Sequence, residues 1–229
     1  MFRFKQFTIY DHLSSMKVGT DAVLLGAWVS LPSSGRVLDV GCGSGVISLM
    51  TAQRCPGALV TGIDIHAPSV QQARENAAHS PFGNTEFIEG DFLLHPFPTL
   101  FDAIVSNPPY HTETLLAPDA SRAAARNTAF LSFSAFVERA ARLLVENGTL
   151  QVILPASAAT QFHEECNRRH LSLTHLTQVR TTKKKAPKRV LMSFVKGQVE
   201  TVTRDEIILQ ENDGTRSNSY SKLCADFYL

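Results

Sequence analysis

No apolar run in this 229-residue chain approaches the roughly 18 residues of a membrane span, and Arg3, Lys5 and Gln6 break up the phenylalanines near its start, so a signal-peptide core is missing as well. The expectation is a soluble, cytoplasmic protein. Cysteine is scarce: Cys42, Cys55, Cys166 and Cys224 stand far apart with no C-x-x-C. That excludes a disulfide framework and points to reduced thiols. The eight histidines lack an H-E-x-x-H pattern, and His163 beside Glu164 and Glu165 reads as a solvated helix face, so no metal is expected. Linkers, repeats and low-complexity tracts are also absent. With 44% hydrophobic residues the chain can bury one substantial core, read as a single domain over residues 1–229. The lone tryptophan, Trp28, sits among Leu24, Leu25 and Val29 and reads as core.

What is present begins with Arg36-Val-Leu-Asp-Val-Gly-Cys-Gly-Ser-Gly45, an apolar run passing into alternating glycines before a helical stretch over Val46 to Arg54. Gly41, Gly43 and Gly45 allow a sharp turn with no side chain between backbone and ligand, and the helix start offers unpaired N–H groups. A dinucleotide fingerprint needs glycine at position 46, where Val46 stands. Asp39 beside the loop would repel a pyrophosphate and suits a cofactor carrying a cation, such as the ammonium of S-adenosylmethionine. The next strand, Ala58 to Ile65, carries Asp64 at its end, 25 positions after Asp39, where an acid can meet ribose hydroxyls, with Ile65 beside it. A third strand, Thr85 to Gly90, ends in Asp91-Phe92, a carboxylate for an adenine amino group and a ring to pack on the base.

Phe101-Asp-Ala-Ile-Val-Ser106 then runs into Asn107-Pro108-Pro109-Tyr110. The Asn107 side-chain oxygen and the Pro108 carbonyl can both accept from one planar NH₂ group, the prolines stiffen the turn, and Tyr110 can stack on the ring that carries the amine. Asn107 is counted with the expected cofactor-binding residues as well. The pattern names transfer to an amine nitrogen.

With these motifs the chain resembles the class I S-adenosylmethionine-dependent methyltransferases, and within them the bacterial family that methylates N6 of the adenine next to the anticodon in a valine tRNA. The likeness extends to Phe4-Lys5-Gln6-Phe7, to Met16 through Gly26 with its Lys17-Val-Gly-Thr20-Asp21, to Arg122 through Thr128, to Lys188-Arg189-Val-Leu-Met192, to Tyr220-Ser221 and to the terminal Asp226-Phe-Tyr-Leu229. It implies that Lys17, Thr20 and Asp21 close the amino-terminal side of the cofactor site. It also implies a Rossmann-like α/β fold with a mostly parallel seven-stranded sheet, helices on both faces and a late antiparallel hairpin. One departure stands out. His111 occupies the place after the NPPY run where the family carries a second aromatic.

Strand and helix patterns alternate through the first two thirds, as βαβ units do. Apolar residues at 133, 136, 137, 140, 143 and 144 give one helical face, expected to stop at Gly148, with a fifth strand over Thr149 to Leu154. A helix follows over Ala156 to Arg169. Leu171 to Val179 and Arg189 to Lys196 read as the hairpin, and residues 198–215 are left open between turns and a short strand. Between the hairpin strands, Arg180, Lys183, Lys184, Lys185, Lys188 and Arg189 form a local +6 that leaves −5 for the rest of a chain whose total is +1. A solvated hairpin tip explains such a cluster, and so does an arm that grips RNA phosphates. The expectation is a monomeric enzyme acting on a tRNA anticodon stem-loop. The rivals are a protein-glutamine methyltransferase acting on release factors, which would place a sizeable helical region ahead of the glycine loop, and a catalytically silent RNA-binding module.

Overall fold

The computed structural model describes residues 1–108 and 132–229. Two short strands, β1 (Phe2–Arg3) and β2 (Thr8–Ile9), pair with each other. The main sheet contains β3 (Gly35–Val40), β4 (Ala58–Asp64), β5 (Thr85–Glu89), β6 (Phe101–Ser106), β7 (Leu144–Pro155), β8 (Leu171–Arg180), β9 (Arg189–Lys196) and β10 (Thr203–Ile208). Its strand order is β10-β8-β9-β7-β6-β3-β4-β5. All pairs are parallel except those made by β9, which runs antiparallel to both β7 and β8.

The central strands are apolar at successive positions because both sheet faces are covered, and the pleat sends neighbours to opposite sides. Val37, Val60, Ala103, Val105 and Ile153 join a core with α1 (Thr20–Trp28) and α2 (Val46–Arg54). Leu38, Ile63, Ile104, Leu150 and Val152 join the core on the other face, against α4 (Phe133–Leu143) and α5 (Ala159–Asn167). On α4 the buried residues Phe136, Val137, Ala140 and Leu143 recur at three- and four-residue spacing, the stripe a sheet-packed helix needs. Ser132 caps that helix by accepting from the Ala135 N–H. Helix α3 (Ala67–Ala78) leads from β4 to β5, and α6 (Asn218–Leu223) lies near the end of the chain. No helix among the described residues is long and apolar enough to cross a membrane.

Two expectations shift. The helix ends at Leu143, and β7 starts at once, with a register irregularity between Phe101 and Ala103 of β6 that absorbs Asn147 (φ 62°) and Gly148. A Cβ on Gly148 would stand 2.9 Å from the Val145 carbonyl oxygen, so the glycine serves a bulge rather than a helix stop. The sheet has eight strands, not seven. The extra strand, β10, is polar and exposed over its first four residues, so it carries no hydrophobic alternation for a sequence reading to find.

Strands β3 and β6 are neighbours, and the chain leaves β3 for β4 on one side while β6 lies on the other. Their carboxyl ends therefore open a crevice where the strand order reverses, the usual ligand position in such sheets.

Candidate active site

The loop after β3 is fastened to the end of β4. The N–H groups of Gly41 and Cys42 both donate to the Ile63 carbonyl, at 2.8 and 3.1 Å. Gly41, Gly43 and Gly45 take φ values of 72°, 54° and 84°, a run of left-handed backbone that side chains with a Cβ resist. Nothing lies within 4 Å of where a Cβ on Gly41 would stand, so that turn faces open space.

Asp39 is buried at the root of the loop. The Ser48 hydroxyl of α2 donates to its Oδ2 at 2.6 Å, while Oδ1 has no partner. Burial pushes its carboxyl up to about 7, against the lowering effect of Ser48, and the nearby Asp64 adds to the rise. A buried carboxylate with an idle oxygen beside an open glycine turn fits a cationic ligand. Asp64 is placed from both sides: Oδ2 accepts from the Gly43 N–H and Oδ1 from the His66 N–H, each at 2.9 Å. Each oxygen keeps a lone pair for a ribose hydroxyl. Ile65 next to it is 73% exposed, an apolar side chain left at the rim. These features suit a cofactor with an amine at one end and a nucleoside at the other.

The acceptor motif lies opposite. Val40 pairs with Ser106 in register, and the Ser106 hydroxyl donates to the Val40 carbonyl at 2.7 Å. Asn107 therefore leaves β6 beside the start of the glycine loop, followed by buried Pro108. Pro109, Tyr110, His111 and Arg122 through Thr128 lie outside the described residues.

The Phe92 ring is 5% exposed and packs on Phe97 and Phe136, so it anchors its loop to the core. Asp91 uses Oδ1 to accept from the Leu93 N–H. Lys17 Nζ donates to the Asp11 carbonyl at 2.6 Å, closing a turn in the amino-terminal segment. Thr20, exposed, opens α1. Asp21 and Arg189, expected in two different sites, are bound to each other at 2.7 Å. Arg180 Nε lies 3.1 Å from Glu206 Oε2. Thus two of the six basic residues are braces at the base of the β8–β9 turn, while Lys183, Lys184, Lys185 and Lys188 are exposed on it.

That turn shares an edge with the crevice. Arg189 pairs with Pro155 at the carboxyl end of β7, which runs parallel to β6, so residues 181–188 project from the same end as Asn107. With β7 and β9 successive neighbours of β6, the lateral step is about 10 Å.

Three positioning groups escaped the sequence reading. Ser48 sits nine residues beyond Asp39 with no motif to mark it. Arg139 of α4 donates from Nη2 to the His95 carbonyl at 2.6 Å and from Nε to that of Phe92 at 3.4 Å, holding the loop after β5. Asn76 of α3 is fully buried, and its only signal is a polar residue on the apolar side of a helix.

The chain matches the model of the methyltransferase small domain family over residues 13–191. It is 44% identical, over all of its length and 97% of the relative's, to a tRNA1(Val) (adenine(37)-N6)-methyltransferase of Phocaeicola vulgatus. A Vibrio vulnificus protein of that name is 39% identical, covering 100% and 95% of the two chains. Among solved structures, a predicted O-methyltransferase of Agrobacterium tumefaciens superposes with a TM-score of 0.72 at 21% identity, covering 90% of this chain and 96% of that one.

Proposed function

Since this chain belongs to the methyltransferase small domain family, and within it to the family of the tRNA1(Val) (adenine(37)-N6)-methyltransferases, we propose that it transfers a methyl group from S-adenosylmethionine to N6 of an adenine beside the anticodon of a valine tRNA. The observation that carries the chemistry is the register that sets Asn107 beside the glycine loop, with Asp39 and Asp64 behind it. The full-length likeness to the named relatives carries the choice of substrate.

S-adenosylmethionine, when bound, supplies a methyl group on a positively charged sulfur, activated for direct displacement. The glycine turn would admit its amino-acid end, Asp39 would hold the ammonium, Asp64 would take the ribose hydroxyls, and Ile65 and Asp91 would serve the base. Asn107 Oδ1 and the Pro108 carbonyl would accept from the exocyclic NH₂ of the target adenine and turn the nitrogen lone pair out of the ring plane. From the sequence, Tyr110 is the residue that would stack on the flipped base, and Pro109 completes the motif. The nitrogen becomes cationic on methylation and sheds its proton without a dedicated strong base. An unpaired loop base costs little to flip. Lys183, Lys184, Lys185 and Lys188 meet the phosphates, braced from below by Arg180 and Arg189. The enzyme works in the cytoplasm as a monomer without a metal.

Valine tRNA from cells lacking this protein tests the reading. Digested to nucleosides, it should lack one N6-methyladenosine that returns when the purified protein and cofactor are added. An unchanged nucleoside profile would refute the assignment.

A further inference from the structure

Helix α3 carries a stripe that packing alone does not explain. Ser69, Gln72 and Asn76, spaced to lie along one face, are each 1% exposed or less. Apolar side chains would fill the same space without the cost of burying polar groups. All three instead reach the backbone or side chains of the amino-terminal segment, residues 10–15. Asn76 Oδ1 accepts from the Tyr10 N–H at 2.9 Å, and its amide nitrogen donates to the Tyr10 carbonyl at 2.8 Å. The second amide hydrogen goes to the Ser44 carbonyl in the glycine loop at 2.9 Å. Gln72 Oε1 accepts from the Leu13 N–H at 3.4 Å. Ser69 Oγ accepts from the Ser15 N–H at 3.3 Å and donates to Ser14 Oγ at 3.4 Å.

Ser14 lies against the loop itself, its Oγ 3.5 Å from where a Cβ on Gly43 would stand. Among the described residues, no backbone hydrogen bond joins segment 10–15 to residues 41–45. Asn76 is the side chain that holds both. We infer that Asn76 is a positioning residue which, helped by Gln72 and Ser69, fixes the amino-terminal segment as an outer wall of the cofactor site at a set distance from the glycine loop. The wall is thereby attached to α3, the helix that follows Asp64, so the ribose acid and the wall move as one unit. Tyr10 is 42% exposed, so without Asn76 its backbone can turn to water and the wall can lift.

The inference rests on the cofactor reading above, and S-adenosylhomocysteine serves as a probe that separates the two. Failure of the probe to bind wild type would remove the cofactor reading and the inference with it. If the wild type binds, Asn76→Ala should weaken the probe about tenfold, as loss of buried hydrogen bonds implies. Without any ligand, the same variant should speed amide exchange at Tyr10 and Leu13. In turnover, the KM for S-adenosylmethionine should rise while kcat and the KM for RNA stay within twofold. Val60→Ala, a core truncation near the amino end of β4, is the control: it should lower Tm and leave probe affinity alone. Gln72→Met should shift affinity and exchange in the direction of Asn76→Ala by a smaller amount, and it decides the matter if Asn76→Ala does not fold. Affinity and exchange equal to wild type in the folded variants, with only Tm lowered, would overturn the inference.

Discussion

The glycine loop after β3 and the basic turn between β8 and β9 leave the same edge of one sheet, yet they are built in opposite ways. The loop is bonded to Ile63, to Asp64 through Gly43, and to α3 through Asn76. The turn is braced by Arg180 to Glu206 and Arg189 to Asp21, and Arg180 also donates to the Lys185 carbonyl across it, but its lysine side chains are presented to water. The difference matches two tasks. A methyl transfer needs atoms held in fixed relation, where small displacements cost much rate, whereas phosphate contact needs charge within reach and tolerates loose geometry.

If that contrast is right, substitutions on the bonded side act on chemistry or cofactor, and those on the lysine side act on RNA and salt. Asn107→Ala should show the largest effect, a loss of about 10²- to 10³-fold in kcat, with cofactor affinity nearly unchanged. Turnover near that of wild type would remove Asn107 from the reaction. Asp64→Ala should weaken cofactor binding by about 1.5–3 kcal/mol, measured by calorimetry, since it removes a charged acceptor and also frees two backbone donors.

Changing Lys183, Lys184 and Lys185 together to Ala should flatten the dependence of log RNA affinity on log salt by about 0.7–0.9 per lost contact. Cofactor affinity should not move. A salt slope equal to wild type would mark the turn as a hydrated tip and break the comparison from that side. The smallest expected effect is electrostatic. Because burial raises the Asp39 carboxyl to about 7, it is neutral at pH 6 and charged at pH 8. Binding of a cationic cofactor should thus tighten by up to about tenfold over that interval and release a proton. Asp39→Asn should abolish the trend, and a trend that persists in that variant would assign it to another group.

The same contrast explains what could be read in advance. Strands β3, β4 and β6 were legible because burial on both faces leaves a continuous apolar run, and the glycine loop because a left-handed turn selects its residues. The lysine cluster was legible as charge, but not the fact that Arg180 and Arg189 are spent on acids from β10 and α1, since pairs separated by 26 and 168 positions leave no local pattern. Phe92 follows a strand-end acid, and the burial of its ring leaves no local pattern in the sequence. Polar β10 was hidden because it carries no apolar alternation, and the Asn76 connection because its partner Tyr10 lies 66 positions away.

The central claim, that the edge shared by these two regions methylates an adenine amine in RNA, is most directly tested with a synthetic anticodon stem-loop and labelled cofactor. Two versions of the loop suffice, one natural and one with the target adenine replaced by purine, which lacks the exocyclic amine. The account predicts label recovered as N6-methyladenosine from the first and none from the second. Equal labelling of both, or label found only on a protein glutamine, would contradict it.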